Sequence, residues 1–412
     1  MSNNLLTISK ITNEALMVLE NELTFTGQVD RNYDDQFAVV GAKIGQTVNV
    51  RRPGRFIGAV GPTLVVEDFN ETSVPVTLST QFQVSTQFTT QDLALSLDMF
   101  SDRILKPAIA TVANKMDRDG LLVAKNNTAN IVGTAGTAPT GLITYLTAAA
   151  YLDSEGAPRD GRRSCTIEPF TSSTIVDSLK GLFVPTESIS KQYAKGLMGR
   201  DSGGMNWYMD QNVVSQTFGS YSSATLSCNV TTATGFLTSG WAYSSNITIG
   251  SASAASTLNQ GDTFTIAGVF AVNPQNRQSY GKLRNFVVQS TVAIGSGGSA
   301  TVTVVPAVIT AGQFQNVSVT SSGSQTATPF NNTGVVSPQN ILMHRNAFTL
   351  ACADLELPEG VHFAGRASDK ELGLSIRVVR QYTINNDSIP TRLDVLYGWA
   401  PLYPELACRI AS

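Results

Sequence analysis

The chain has 412 residues, 42% of them apolar, which is length enough for two or three domains with proper cores. Charged residues make up only 14%, well below the usual quarter, so the polar surface has to come from Ser, Thr, Asn, Gln and Gly. A net charge of -3 excludes a general nucleic-acid binder, which needs a basic face to displace counterions, so any contact with DNA is expected to be weak or local.

In chain order, Ile8, Ile11, Ala15, Val18 and Leu19 recur at three and four residues, which predicts an amphipathic helix over Ile8 to Leu23 that docks by one stripe. The same alternation lacks the continuous apolar core of a secretory signal, and no stretch reaches the roughly 18 apolar residues of a membrane span. Thr47 to Val50 reads as a short strand, followed by "RRPGRFIGAVGP", whose Pro and Gly residues break any regular element. In "VPVTLSTQFQVSTQF", Val76, Leu78, Thr80, Phe82, Val84, Thr86 and Phe88 share one face and polar residues the other. One long strand is expected there, paired with Thr47 to Val50 as an extended arm.

At Thr89 the period changes to that of a helix. Thr89 and Asp92 are spaced as a capping box, and Leu93, Leu97, Phe100, Ile104, Ala108 and Val112 form one stripe. A helix from Gln91 to Asn126, about 50 Å long, is expected, with Pro107 kinking or interrupting it. A helix near Ser172 to Phe183 and the stretch "AKGLMGRDSGGMNWYMDQNV" follow.

From Gln211 to His344 only Asp262, Arg277, Lys282 and Arg284 are charged, four of the chain's 59 charged side chains. Runs such as "NITIG", "DTFTIAG", "NFVVQS" and "ATVTVVPAV" alternate there with Ser/Gly/Asn turns, as in a small sandwich or barrel, so the tract reads as an inserted β domain. Charged character then resumes, and the chain ends in strands over "LSIRVVRQYTI" and "RLDVLYGWAPLYPELACRIAS".

The sequence offers no catalytic constellation. There is no phosphate-binding loop, no nucleophile elbow and no HExxH frame for His344 or His362. Asp117 and Asp119 in "KMDRDG" lack the later ligands of a calcium loop and read as the solvated end of a helix. Cys165, Cys228, Cys352 and Cys408 show no metal spacing and read as reduced core cysteines. No catalytic, cofactor-binding or metal residue is assigned, and an enzyme is not expected. Arg51, Arg52 and Arg55 crowd onto the arm's loop, where Arg forks suit carboxylates of a neighbouring subunit. Asp34, Asp35, Glu67, Asp68 and Glu71 are the candidate partners, unranked.

The succession of N-terminal helix, glycine-punctuated arm, long spine helix, α/β platform and returning C-terminal strands resembles the coat fold of tailed double-stranded DNA phages, the Hong Kong 97 fold. "NILMHRNAFTLACADLELPEG" and "IRVVRQYTINNDSIPTRLDVLYGWAPLYPELACRI" are similar to the ending of coat proteins in the Salmonella short-tailed phage group, which also carry a β-rich insertion. The resemblance implies an α+β capsid fold. Its parts would be an N-terminal arm helix (1–30), an extended arm (31–90), spine helix and peripheral domain (91–134), axial domain (135–210 and 330–366), inserted β domain (211–329) and C-terminal strands (367–412). It implies a major capsid protein that self-assembles into an icosahedral head around double-stranded DNA. Its partners would be copies of itself in pentamers and hexamers, a scaffolding protein and a portal, with packaged DNA touched only weakly and no membrane. The absence of lysine between Lys43 and Lys106 argues against an arm crosslink of the kind some members of the fold make. The alternative is a secreted Ser/Thr-rich adhesin or surface-layer protein, suggested by sequons such as "NVT" and "NIT" and opposed by the missing signal sequence.

Overall fold

A computed structural model describes residues 15–17, 19, 23–31, 47–64, 66–89, 106–179, 203–221, 226–230, 235–251, 255–331, 334–369 and 374–412. Most of the expected N-terminal helix, residues 91–105 of the expected spine, and Asp34 and Asp35 lie outside these. In chain order come β1 (Thr47–Arg52), β2 (Thr72–Thr77), β3 (Thr80–Thr89), a helix Lys106–Asn127, β4 (Ile131–Gly133), a helix Leu142–Ser154, β5 (Arg163–Ile167), a helix Pro169–Leu179, β6 (Asn206–Met209) and β7 (Ser215–Thr217). A dense run of strands follows: β8 (Leu226–Asn229), β9 (Phe236–Leu237), β10 (Ser245–Ser251), β11 (Ser256–Leu258), β12 (Thr263–Val272), β13 (Ser279–Val288), β14 (Val292–Ile294), β15 (Ser299–Val305), β16 (Val308–Ile309), β17 (Val317–Val319) and β18 (Ser324–Pro329). The chain finishes with β19 (Val336–His344), β20 (Phe348–Ala353), β21 (Phe363–Asp369), β22 (Leu374–Arg380), β23 (Ser388–Pro401) and β24 (Ala407–Ala411).

The chain divides into two compact units, one of residues 1–50, 75–120 and 348–400, the other of 51–74, 121–347 and 401–412. The expected axial segment 330–366 is therefore divided at Phe348, and the expected arm 31–90 at Arg51 and Pro75.

In the first unit, β20, β23, β22 and β21 lie side by side and β3 adds to β23. The expected single strand over residues 76–88 is two strands instead. β2 pairs with β1, whereas β3 runs antiparallel to β23 from Thr80↔Tyr397 to Thr89↔Ser388. The break at Leu78 and Ser79 coincides with Gly398, where an added Cβ would stand 2.1 Å from the Thr77 carbonyl oxygen. Two backbones cross at that point, and only a residue without a side chain admits the crossing.

On the Lys106–Asn127 helix, Ala108, Ile109, Val112, Ala113 and Met116 are buried at helical spacing. Pro107 is the second residue of the described helix. Asp117 and Asp119 are not a solvated helix end. Asp117 is buried and accepts hydrogen bonds from the Thr24 and Thr26 backbone N–H groups, both at 2.8 Å, and from the Thr26 hydroxyl at 2.5 Å. Asp119 accepts from the Tyr397 hydroxyl at 2.7 Å and from Lys115 at 2.6 Å. The carboxylates tie the helix to chain segments about 90 and 280 residues away in sequence, and local spacing does not encode that use.

In the second unit, a mixed sheet orders β4, β24, β19, β5 and β6, with β7 also on β19. The Leu142–Ser154 helix covers it through Tyr145, Ala148 and Leu152, against Cys165, Leu342, Cys408 and Ile410. All four cysteines are buried and free, and burial pushes the thiols of Cys165 and Cys408 up.

Residues 226–329 form a separate sheet ordered β13, β15, β10, β8, β18, β12. Because β12 also pairs with β13, this sheet closes into a six-stranded barrel, with β17 added along β12. Alternate residues, among them Leu226, Cys228, Ile247, Ile249, Phe264, Ile266, Phe286, Val302 and Val304, fill its interior. Closure removes the exposed edges that so neutral a β domain would otherwise offer to aggregation.

Candidate functional site

Residues 53–71 form the loop between β1 and β2. Six large apolar side chains on it are exposed: Phe56, Ile57, Val60, Leu64, Val66 and Phe69. The loop nevertheless has internal structure. The Glu67 carboxylate accepts hydrogen bonds from the Ile57 N–H at 2.7 Å and the Gly58 N–H at 2.6 Å, and Gly58 takes the positive φ of 72° that such a turn requires. The Phe56 and Phe69 rings stack at 5.8 Å.

The three arginines singled out in the sequence have different fates. Arg51 is 79% exposed and pairs with Glu71 at 3.2 Å. Arg52 is only 9% exposed, bound to Glu405, with its guanidinium 4.4 Å from the Tyr403 ring centroid and 5.5 Å from that of Trp241. Arg55 lies between these extremes, 4.0 Å from Glu405, and burial holds its pKa below the ordinary value against the attraction of Glu405. Glu67 serves the loop's own turn, and the Asp68 backbone carbonyl accepts a hydrogen bond from the Gln313 side chain at 2.5 Å.

Beneath the loop lies a cavity of about 170 Å³, lined by Arg52, Arg55, Glu155, Trp241, Arg284 and Glu405 among others. Arg284, on β13, is buried against Glu155 at the end of the Leu142–Ser154 helix. Burial raises the pKa of Glu155 and Arg284 opposes it. Truncating one member of such a buried pair leaves the other uncompensated, at a cost of about 3–5 kcal/mol.

A second polar cluster surrounds Asp262, the only acid of the neutral tract. Its carboxylate accepts from the Gly219 N–H at 2.9 Å and, each at 2.8 Å, from the Asn259 N–H, the Tyr221 hydroxyl and the Gln216 amide. Gln216 accepts in turn from Lys125 at 2.7 Å, and the fully buried Arg409 on β24 donates to the Gly261 carbonyl at 2.7 Å. Burial lowers the pKa of Lys125 to about 8, with Arg409 adding to the effect, and burial lowers that of Arg409 to about 10. Burial raises that of Asp262 although four hydrogen bonds favour its charged form.

Among the described residues no group of three or more His, Cys, Asp or Glu side chains is placed to hold a metal ion. His344 is buried on β19, its Nε2 3.2 Å from an Asp160 carboxylate oxygen. The charge pattern of the sequence led to the arm loop but missed its apolar residues. Their only signal was a set of bulky apolar side chains in a stretch too rich in Gly and Pro to bury them.

The family described as P22 coat protein, gene protein 5, matches residues 1–409 of the chain. No curated protein matches it by sequence. Among solved structures the chain is similar to one from Mycobacterium phage Che8, at 10% identity and a TM-score of 0.47, over 94% of this chain and 90% of that one. It is similar also to the capsid of Ralstonia phage GP4, at 8% identity and a TM-score of 0.45, over 94% and 88%. A virus-like particle from Pyrococcus furiosus is similar at 6% identity and a TM-score of 0.39, over 98% of both chains. Because that single family model spans residues 1–409, the chain belongs to the P22 coat protein family and is a phage major capsid protein.

Proposed function

We propose that the arm loop 53–71 is the contact by which copies of this coat protein join laterally into pentamers and hexamers of an icosahedral head. The exposure of Phe56, Ile57, Val60, Leu64, Val66 and Phe69 on one loop carries the reading. Apolar side chains grouped on a surface mark a place that another protein covers. Arg51 and Glu71 flank them, and an ion pair this exposed contributes at most about 1 kcal/mol within the chain, so both are free to exchange partners with a neighbour. Arg55, Glu67 and Asp68 belong to the same contact through the loop conformation they support, while Arg52 anchors the loop's base to Glu405. Many such contacts, each weak, sum to a stable shell.

In the same reading, residues 211–329 are an inserted domain on a platform built from 135–210 and 330–366, and 91–134 hold the spine. A scaffolding protein and a portal would be partners during assembly. Packaged double-stranded DNA would be touched only weakly, given the net charge of -3. The near absence of charge on the barrel suits a domain repeated at high density on a shell, where like charges would repel. Nothing in these features calls for catalysis.

The test is an assembly reaction with scaffolding protein, followed by light scattering and electron microscopy. Val60→Asp with Leu64→Asp, and separately Arg51→Glu, are expected to leave the monomer's circular dichroism unchanged and to impair shell formation, the apolar pair more severely. Shells of normal yield and size from the Val60/Leu64 variant would refute the assignment. Arg52 is left untouched, since reversing a buried charge would perturb folding as well.

A further inference from the structure

The four charged side chains of the neutral tract all point to the rest of the same unit or to its junctions. Asp262 gathers the 216–221 segment, and Arg284 is buried against Glu155. Lys282 lies 5.4 Å from the Tyr151 ring, and Arg277 reaches the arm loop. All four reach residues outside the barrel, which a domain that was only an ornament would have no reason to do.

Arg277 is the most unusual of them. It sits in the turn between β12 and β13 with φ of 58°, a left-handed conformation that costs a side-chain-bearing residue about 1 kcal/mol or more. The turn is held by the Asn273 side chain, which accepts from the Gln275 N–H at 2.8 Å, and by the Arg277 N–H donating to the Asn273 carbonyl at 2.9 Å. This posture sends the guanidinium outward. Its Nη2 donates to the Phe56 carbonyl at 2.8 Å and to the Gln313 carbonyl at 3.3 Å, and its Nη1 donates to the Gln275 carbonyl at 3.1 Å. The Gln313 side chain donates to the Asp68 carbonyl at 2.5 Å. Phe56 and Asp68 stand on opposite legs of the arm loop.

We infer that the barrel acts in cis as a latch on the arm loop, with Arg277 and Gln313 as the positioning residues that grip one leg each. Both grips are to backbone carbonyls, so the latch fixes the course of the loop whatever its side chains present. A 19-residue excursion that is ordered before it meets a neighbour loses less conformational entropy on docking than a free one. The assembly half of this inference rests on the arm loop being the lateral contact; the latch itself does not.

Arg277→Gly is the informative variant, because it removes the guanidinium while suiting the left-handed backbone, so the barrel's turn keeps its conformation. Arg277→Gly combined with Gln313→Ala removes both grips. Amide hydrogen exchange on the monomeric full-length protein reads the result at Ile57 and Gly58, whose N–H groups bond to Glu67. Exchange there is expected to rise about tenfold in the double variant, the scale set by losing two hydrogen bonds that hold the loop closed, with barrel amides unchanged. Unchanged exchange at Ile57 and Gly58 would overturn the latch. Assembly with scaffolding protein is expected to need several-fold more coat protein. Normal assembly by a variant with a loosened loop would overturn the positioning role, and that result differs from failure of the lateral-contact reading, which the Val60/Leu64 variant tests alone.

Discussion

At the scale of single residues, the cluster around Asp262 shows how a neutral tract uses a rare charge. Asp262 is conspicuous in "QGDTFTIAGVFAVNP" because nothing nearby is charged, and the structure surrounds its carboxylate with four donors and two buried cations, Lys125 and Arg409. The sequence singled out the residue, while its partners, up to about 150 positions away in the chain, were not legible. Lys125 gives a pH dependence with a definite sign. Its amine keeps a proton up to about pH 10.5 in the unfolded chain but only to about pH 8 in the folded one. Between those values the unfolded state binds more protons, so the contribution of Lys125 to stability rises with pH across that window and is flat below it. Lys125→Met removes this rise. Urea denaturation of the monomer at pH 7 to 10 should show wild-type stability gaining on the variant from pH 8 upward, and parallel profiles would contradict the burial of a charged amine beside Arg409.

At the scale of elements, within the run 76–88 Val76 and Leu78 are buried and Thr80, Phe82, Val84 and Thr86 half-buried, while Ser79, Gln83, Ser85 and Gln87 on the other face are exposed and Thr77 and Gln81 half-buried. The alternation did not reveal that the run changes partner at Leu78. Period specifies the face of a strand, whereas pairing is decided by segments hundreds of residues away. Gly398 is the physical point of that decision. Gly398→Ala would drive a Cβ into the Thr77 carbonyl, and backbone on both sides leaves nothing flexible to yield. A loss of about 3 kcal/mol or more in monomer stability is expected, read as a lower midpoint in thermal unfolding. A variant as stable as wild type would show that β2 and β3 can separate from β23 without cost. Gly120 tells a related story on the Lys106–Asn127 helix, where the Trp399 ring occupies the place of a Cβ at 2.5 Å. Sequence alone shows a glycine inside a helix and cannot show the ring that requires it.

At the scale of the whole molecule, the barrel closes on itself yet is stitched into its unit by Arg284 with Glu155, Arg409 with Gly261, and Tyr243 donating to Asn127 at 2.8 Å. Replacing residues 219–330 by a short linker would strand Glu155 without Arg284 and Arg409 without the Gly261 carbonyl, and would take the Asp262 charge away from Lys125 and Arg409. The deletion is expected to cost several kcal/mol of stability, about 3–5 for each uncompensated charge that stays buried, and to block assembly. Calorimetry of the monomer and electron microscopy of assembly reactions check this, and a stable variant that forms normal heads would reduce the barrel to decoration. The sequence by itself determined the kinds of element, the neutral tract and its β character, and the likeness to phage coats, because period, turn residues and composition are local properties. Only the tertiary structure decided that the inserted strands close into a barrel through the pairing of β12 with β13. It alone decided that Arg52 turns inward while Arg51 stays exposed, that Asp117 is buried, and that Arg277 and Gln313 reach the arm loop. Each of those outcomes depends on which distant segments meet, and a polar side chain commits to a partner only where the fold removes water and leaves one donor facing one acceptor.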